Sequence, residues 1–419
     1  MHDSGLDIET ILIAGVVGLI ALNALSYYSS RQRLLPSIIW TVIIGLAYGF
    51  ISHFGLLPLP ELELKPEIVL FLFVPLLIFA STHTMCLYHF RRVLGASTIL
   101  ATVGIFISMV ISGLIFMAVT GAGLAVSMLF GAIISATDPL AISAVLKGNT
   151  AIDEHRKLLI EGESILNDGF VVALFGIFSV LAFEPERFSA LKVGGDFFID
   201  IVGALVLGLV LGRGSRLLLK IWHGHSYTLR MNMTLALAYS SFLLAEILGF
   251  SGVIAVFAAA LAYGFRPEGG YHPPEEDQEH VWGYLEYVAN SILFFMIGAS
   301  FFSVISMYKI SITLIITAIA IAVLPRLIAV LVLRPTLRIY KEKATFNDVK
   351  LLAFSGCRGA LSIALILLLP EDFEYRPLFL ALAGIIILMS LVAFPPIVSR
   401  ILKGMEDGTG NRSSVISNQ

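Results

Sequence analysis

Apolar stretches long enough to cross a bilayer recur along nearly the whole of this chain, and they leave it little freedom of fold. A spanning helix needs about 20 mostly apolar residues. Thirteen such stretches are read at residues 8–29, 34–52, 66–82, 93–119, 124–146, 158–183, 197–221, 231–248, 251–265, 280–302, 310–333, 347–369 and 377–401. In lipid every backbone N–H and C=O must be satisfied internally, so each stretch is expected to be a helix. Composition agrees: 58% of the 419 residues are hydrophobic and 14% are charged, against about 25% charged in a soluble domain. The expectation is an all-α polytopic membrane domain over residues 1–403, then a short polar tail over 404–419, expected to be disordered. The N-terminus lacks the basic start of a secretory signal, so the first stretch is read as a span. A net charge of −3 gives no pull toward nucleic acid, and Cys86 and Cys357 have no metal-ligand spacing.

The positive charges orient the spans. Loops after odd-numbered spans, with the tail, hold twenty lysines and arginines; the other side holds five, Lys65, Arg187, Lys192, Lys309 and Arg376. The positive-inside rule then predicts an outside N-terminus and a cytoplasmic C-terminus in a cell membrane. Two cations remain, Arg326 and Arg358, both inside predicted spans. Four acids stand out with them: Asp138, Glu163, Asp168 and Glu246. A charge near the bilayer centre costs ~3 kcal/mol on insertion scales, so such groups must pair or face a watered cavity. A helix-joining ion pair accounts for one of them more easily than for six.

Ser164 and Asp168 are four residues apart and share a helix face, with Glu163 and Asn167 on the adjacent stripe. That face offers hard oxygens to a small cation. A carboxylate in a partly dry site can also hold a proton at neutral pH. It can bind a proton or a cation but not both, and that competition couples two flows. In span 5, Ser135-Ala136-Thr137-Asp138-Pro139 predicts a broken helix, because Pro139 frees a carbonyl and biases Asp138 away from helical geometry. A plain proline kink is the alternative, which the adjacent acid disfavours. Gly356-Cys357-Arg358-Gly359 is the matching weak point in span 12. Two interrupted spans of opposite sense point to an inverted-repeat transporter, spans 1–6 against 8–13 with span 7 as linker.

Thr137-Asp138-Pro139 followed by Glu163-Ser164-Ile165-Leu166-Asn167-Asp168 resembles the electroneutral branch of the monovalent cation/proton antiporters, of NhaP and NHE type. The likeness continues through Ala245-Glu246, Ser251-Gly252-Val253, Trp282 to Gly298, and Gly356 to Leu361. It implies crossing, broken spans 5 and 12. It implies Asp168 as ion and proton carrier, with Ser164, Asp138 and the Thr137 carbonyl as further ligands of Na+ or Li+. Asn167 is then the structural partner of Thr137, and Glu163 that of Arg326, with Arg358 nearby. It also implies a homodimer, with a core from spans 4–6 and 11–13 moving against a dimerisation part from spans 1–3 and 7–10. Asparagine at 167, where the electrogenic branch has aspartate, implies one-for-one exchange. No resident cofactor is implied; the cations and protons are substrates, and lipid is the solvent. One departure is the absence of an acid after Pro75-Leu76-Leu77-Ile78-Phe79, where Ala80, Ser81 and Thr82 follow.

Other readings are potassium/proton exchange on the same scaffold, a cation channel, and an intramembrane serine protease suggested by Gly249-Phe250-Ser251-Gly252. A serine nucleophile needs a nearby base, and all nine histidines fall in predicted loops or at helix ends. The loop from His272 to His280, with Glu275, Glu276, Asp277 and Glu279, is read as a solvated acidic segment. Glu246 is read as a polar anchor between helices.

Overall fold

Helices account for almost the whole of the computed structural model, and no strand forms among the described residues. These are residues 24, 37–57, 62, 67–83, 87–138, 140–146, 152–183, 190–222, 226–264, 276–306, 311–339 and 345–416. Predicted span 1 lies outside them apart from Ala24, as do Cys86, Pro139 and residues 272–275 of the acidic loop; from Glu276 that segment is not a loop but the start of a helix.

Each of predicted spans 2 to 13 has a helical counterpart. In chain order these are α1 (Ser37–His53), α2 (Val74–His83, entered through a π-helical Ile68–Phe73), α3 (Leu87–Ile99) and α4 (Ile105–Thr120), the last two joined by a π-helical Leu100–Gly104. There follow α5 (Leu124–Ser135), α6 (Leu140–Leu146), α7 (Glu154–Phe183), α8 (Ala190–Ile221), α9 (Tyr227–Ile247), α10 (Gly252–Gly264) and α11 (Glu276–Ser306). The chain closes with α12 (Ile312–Ile339), α13 (Phe346–Phe354), α14 (Ala360–Leu367) and α15 (Arg376–Ile416). Six of these helical runs are long and apolar enough to cross a membrane: Arg92–Thr120, Glu154–Phe183, Ile199–Ile221, His280–Phe302, Ile312–Ile339 and Arg376–Met405. Helix α15 runs on to Ile416, so most of the stretch expected as a disordered tail is helical. Extending an existing helix needs no new nucleus.

The turn after α4 shows how sequence ends a span: Gly121 adopts φ 72°, and its N–H donates to Met117 O. Helix α13 starts on a reciprocal cap between Thr345 and Asp348.

The helices pack in two sets. In one, α1 lies along α11, α8 along α10, and α2 and α9 against α10. In the other, α4 packs on α5 and α12, α7 on α3 and α5, and α13 and α15 on α12. Small residues set the closest approaches in the first set. A Cβ on Gly45 would fall 2.2 Å from the Phe295 carbonyl oxygen, and one on Gly208 would fall 2.3 Å from that of Ala255. Gly49 and Gly212 repeat each contact one turn on, the small-xxx-small spacing of membrane helix pairs.

Candidate ion site at the helix crossing

Spans 5 and 12 are each interrupted. Between α5 and α6 the backbone turns extended at Ala136, and between α13 and α14 the chain leaves helical geometry from Gly356 to Gly359. The two breaks meet. Asp138 N–H donates to the Cys357 carbonyl at 2.7 Å in an antiparallel bridge. Gly359 makes this approach possible, since a Cβ there would lie 2.6 Å from Asp138 Cβ.

A broken helix exposes carbonyls that lipid cannot satisfy. Arg358, fully buried, donates from Nη1 to the carbonyls of Ser135 (2.8 Å) and Ala136 (3.2 Å). Ser362 donates to Ile133 O at 2.8 Å. The guanidinium thus sits at the negative C-terminal end of α5, where a cation is favoured. Its backbone N–H donates to Ser390 Oγ on α15 at 3.0 Å.

Helix α7 brings the acidic motif to the same place. Ser164 Oγ donates to the Thr137 carbonyl, and Asn167 Nδ2 donates to Thr137 Oγ1 and to Glu163 Oε1 (3.4 Å). The Thr137 N–H donates to Asn167 Oδ1 at 3.5 Å. Asn167 therefore serves the extended Ala136–Asp138 segment from both ends of its amide. Glu163 is held by Arg326 of α12 in a two-pronged pair, Nη1 to Oε1 at 2.9 Å and Nη2 to Oε2. Both members are buried, and Arg326 Nε also donates to Leu352 O at 3.3 Å.

Asp168 differs from all of these. It is partly exposed, and its carboxylate accepts no hydrogen bond from any described residue. It lies within electrostatic reach of Asp138 and Glu163. The next residue, Gly169, faces α10 directly: a Cβ there would lie 2.7 Å from Ile254 Cγ1. The crossing thus assembles carboxylate, carbonyl and hydroxyl oxygens beside one carboxylate that has no hydrogen-bond partner among the described residues.

The eight residues predicted for this site, Thr137, Asp138, Glu163, Ser164, Asn167, Asp168, Arg326 and Arg358, all lie at or beside the crossing. Glu246 does not. It lies at the exposed end of α9, and its Oε1 accepts the Gly252 N–H at 3.0 Å. Beside it Asp200 of α8 accepts the Ser251 N–H. Asp200, three residues inside the predicted edge of span 7, is a further acid within a predicted span, as are Glu161, Glu286 and Asp348. The carboxylates of Asp200 and Glu246 cap the start of α10, as the helix dipole favours. Ser251, the serine of the protease-like motif, is the N-cap itself, with Oγ accepting the Ile254 N–H at 3.4 Å. In α2, Ser81 bonds its own helix at Ile78 O, while the buried Thr82 hydroxyl has no hydrogen-bond partner among the described residues. His83, at the end of the same helix, is buried, stacked on Phe79 and near Trp282. Trp282 opens the aromatic motif on α11 and donates to Thr234 Oγ1 of α9 at 3.1 Å.

Comparison with known proteins gives four findings. The sequence model described as sodium/hydrogen exchanger, transmembrane, matches residues 18–404. The chain is 32% identical over 374 residues to the Na(+)/H(+) antiporter NhaG of Bacillus atrophaeus, covering 85% of this chain and 68% of that one. It is 29% identical over 424 residues to the Na(+)/H(+) antiporter NhaP of Pseudomonas aeruginosa, covering 94% and 97%. Its fold is similar to that of the sodium proton antiporter MjNhaP1 from Methanocaldococcus jannaschii, with a TM-score of 0.71 at 21% identity, over 95% of this chain and 99% of that one.

Proposed function

This chain belongs to the sodium/hydrogen exchanger family, and on that premise we propose how its helix crossing performs the exchange. The protein is a multi-pass membrane transporter that exchanges sodium ions for protons, and not an enzyme. In the proposed scheme Asp168 is the single exchangeable carrier. Sodium, or lithium, binds between the carboxylates of Asp168 and Asp138, the Ser164 hydroxyl and the Thr137 carbonyl. A proton on Asp168 displaces it. An empty, ionised site carries an uncompensated charge and crosses the apolar barrier poorly. Occupation by either ion removes that penalty, so only loaded carriers swing.

The observation that carries this reading is the contrast between two acids five residues apart on α7. Glu163 is buried and neutralised by Arg326, whereas Asp168 is partly exposed and accepts no hydrogen bond from any described residue. Asn167 adds no second charge, which supports electroneutral, one-for-one exchange. Glu163, Arg326, Asn167 and Arg358 hold the site in shape, and no resident cofactor is required. The two packed sets of helices support a core of spans 4–6 and 11–13 that moves against a dimerising part of spans 1–3 and 7–10, in a homodimer. The charge bias supports an outside N-terminus and a cytoplasmic C-terminus in the cell membrane.

The test is exchange in proteoliposomes. Asp168→Asn should abolish sodium uptake driven by a pH gradient while the variant still purifies folded. Retained uptake would overturn the assignment. A panel of lithium, sodium and potassium on the intact protein sets the selectivity, and a preference for potassium would replace sodium as cargo. Acceleration of net flux by an imposed membrane potential would overturn the one-for-one ratio.

A further inference from the structure

Away from the ion site, α13 and α15 face one another across a cleft. Asn347, Lys350 and Phe354 recur at intervals of three and four along α13, and Ile397, Arg400 and Ile401 recur similarly on α15. Each set is therefore one helix face. Together they line a cleft of about 470 Å³, within the ~300–1,000 Å³ range of small-ligand sites.

The lining is graded along the two helices. Asn347 and Lys350 lie in the first turns of α13 with Phe354 at its last residue, and on α15 Ile397 precedes Arg400 by about one turn. Among the described residues no acid lines the cleft. Among the described residues neither Lys350 nor Arg400 has a carboxylate partner. Lys350 rests over the Phe346 ring, with Nζ 4.7 Å from its centroid. Asp348, the acid nearest in sequence, is engaged by Arg156 at 2.9 Å and by Thr345. Two cations with no counter-ion among the described residues, beside apolar side chains, match a phosphate that carries a hydrocarbon chain. Basic pockets of this kind between membrane helices hold anionic lipid headgroups. A soluble phosphate would meet the cations but leave the apolar wall wet.

We propose that this cleft seats an anionic phospholipid, its phosphate between Lys350 and Arg400 and an acyl chain against Phe354, Ile397 and Ile401. The lipid would clamp α13, the arm of the crossing whose Leu352 carbonyl accepts from Arg326, to α15. Lipid retention is read apart from transport, so the proposal can fail without touching the sodium/proton assignment.

The full chain, purified in detergent, is mixed with equal phosphatidylglycerol and phosphatidylcholine and examined by native mass spectrometry. The wild type is expected to retain phosphatidylglycerol in about tenfold preference, and the double variant Lys350→Ala, Arg400→Ala to lose that preference. Gly404 borders the cleft, and a Cβ there meets open space. Gly404→Phe should fill the slot and lose the lipid with both charges intact, which separates occupancy from misfolding. Full preference in both variants would overturn the proposal, as would equal retention of phosphatidylcholine by the wild type. Displacement of the lipid by glycerol phosphate would also overturn it, in favour of a soluble phosphate site.

Discussion

Glu163 and Arg326 are buried side by side in the apolar layer, and the pair costs little only while both members remain. Glu163→Gln leaves the guanidinium charged and without its counter-ion. A loss of ~3–5 kcal/mol is expected, read as a lower unfolding temperature in detergent. Asp168→Asn should by contrast leave that temperature nearly unchanged, since no protein hydrogen bond is lost. Asn167→Ala removes the donor to Thr137 Oγ1 and the acceptor of the Thr137 N–H. An unsatisfied buried group costs ~1–3 kcal/mol, so this variant should fall between the other two. The residues of α7 were legible in the sequence because helical spacing alone puts Ser164 and Asp168 on one face. Their partners were less so. Nothing local in the chain ties Glu163 to Arg326, 163 positions away, and that pairing came only with the family resemblance.

At the scale of the element, the interruption of span 5 announced itself through an acid next to a proline, and that of span 12 through two glycines flanking an arginine. Their crossing came with the family resemblance and not from local pattern, because a backbone hydrogen bond across two loops leaves no periodicity to read. Gly359→Ala would drive a methyl carbon into Asp138 and is expected to push the two breaks apart. Overpacking of this kind costs ~1–3 kcal/mol. Sodium/proton exchange should fall more steeply than stability, because Asp138 moves with the break. The turn at Gly249 to Ser251 shows the opposite failure. A motif that imitates a nucleophile serves as a helix cap, with Asp200 and Glu246 closing it. The glycine pairs that bring α1 to α11 and α8 to α10 were present in the sequence as repeats of four, but apolar length dominated the reading of those spans.

Across the whole molecule, apolar length described the architecture of spans 2 to 13 well, since lipid permits few alternatives. The packing into two sets was not legible from hydropathy, which says how long a helix is and not which neighbour it chooses. Competition at one carboxylate gives the assembled protein a characteristic acid response. A protonated site is unavailable to sodium, so the apparent KM for sodium should rise as pH falls, by up to ~10-fold per pH unit once the proton form dominates. Initial rates in vesicles over a matrix of pH and sodium would show it, and a KM independent of pH would contradict the scheme.

The meeting of Gly169 with Ile254 bears on insulation. Where a helix presents bare backbone beside its charged carrier, a branched side chain from the opposite wall fills the gap, with Val253 at its edge. Shortening the plug by Ile254→Ala should let water reach the carboxylate from both compartments at once. Vesicles holding this variant are then expected to dissipate an imposed pH difference even without sodium, a short circuit that a dye in the lumen would register within seconds to minutes.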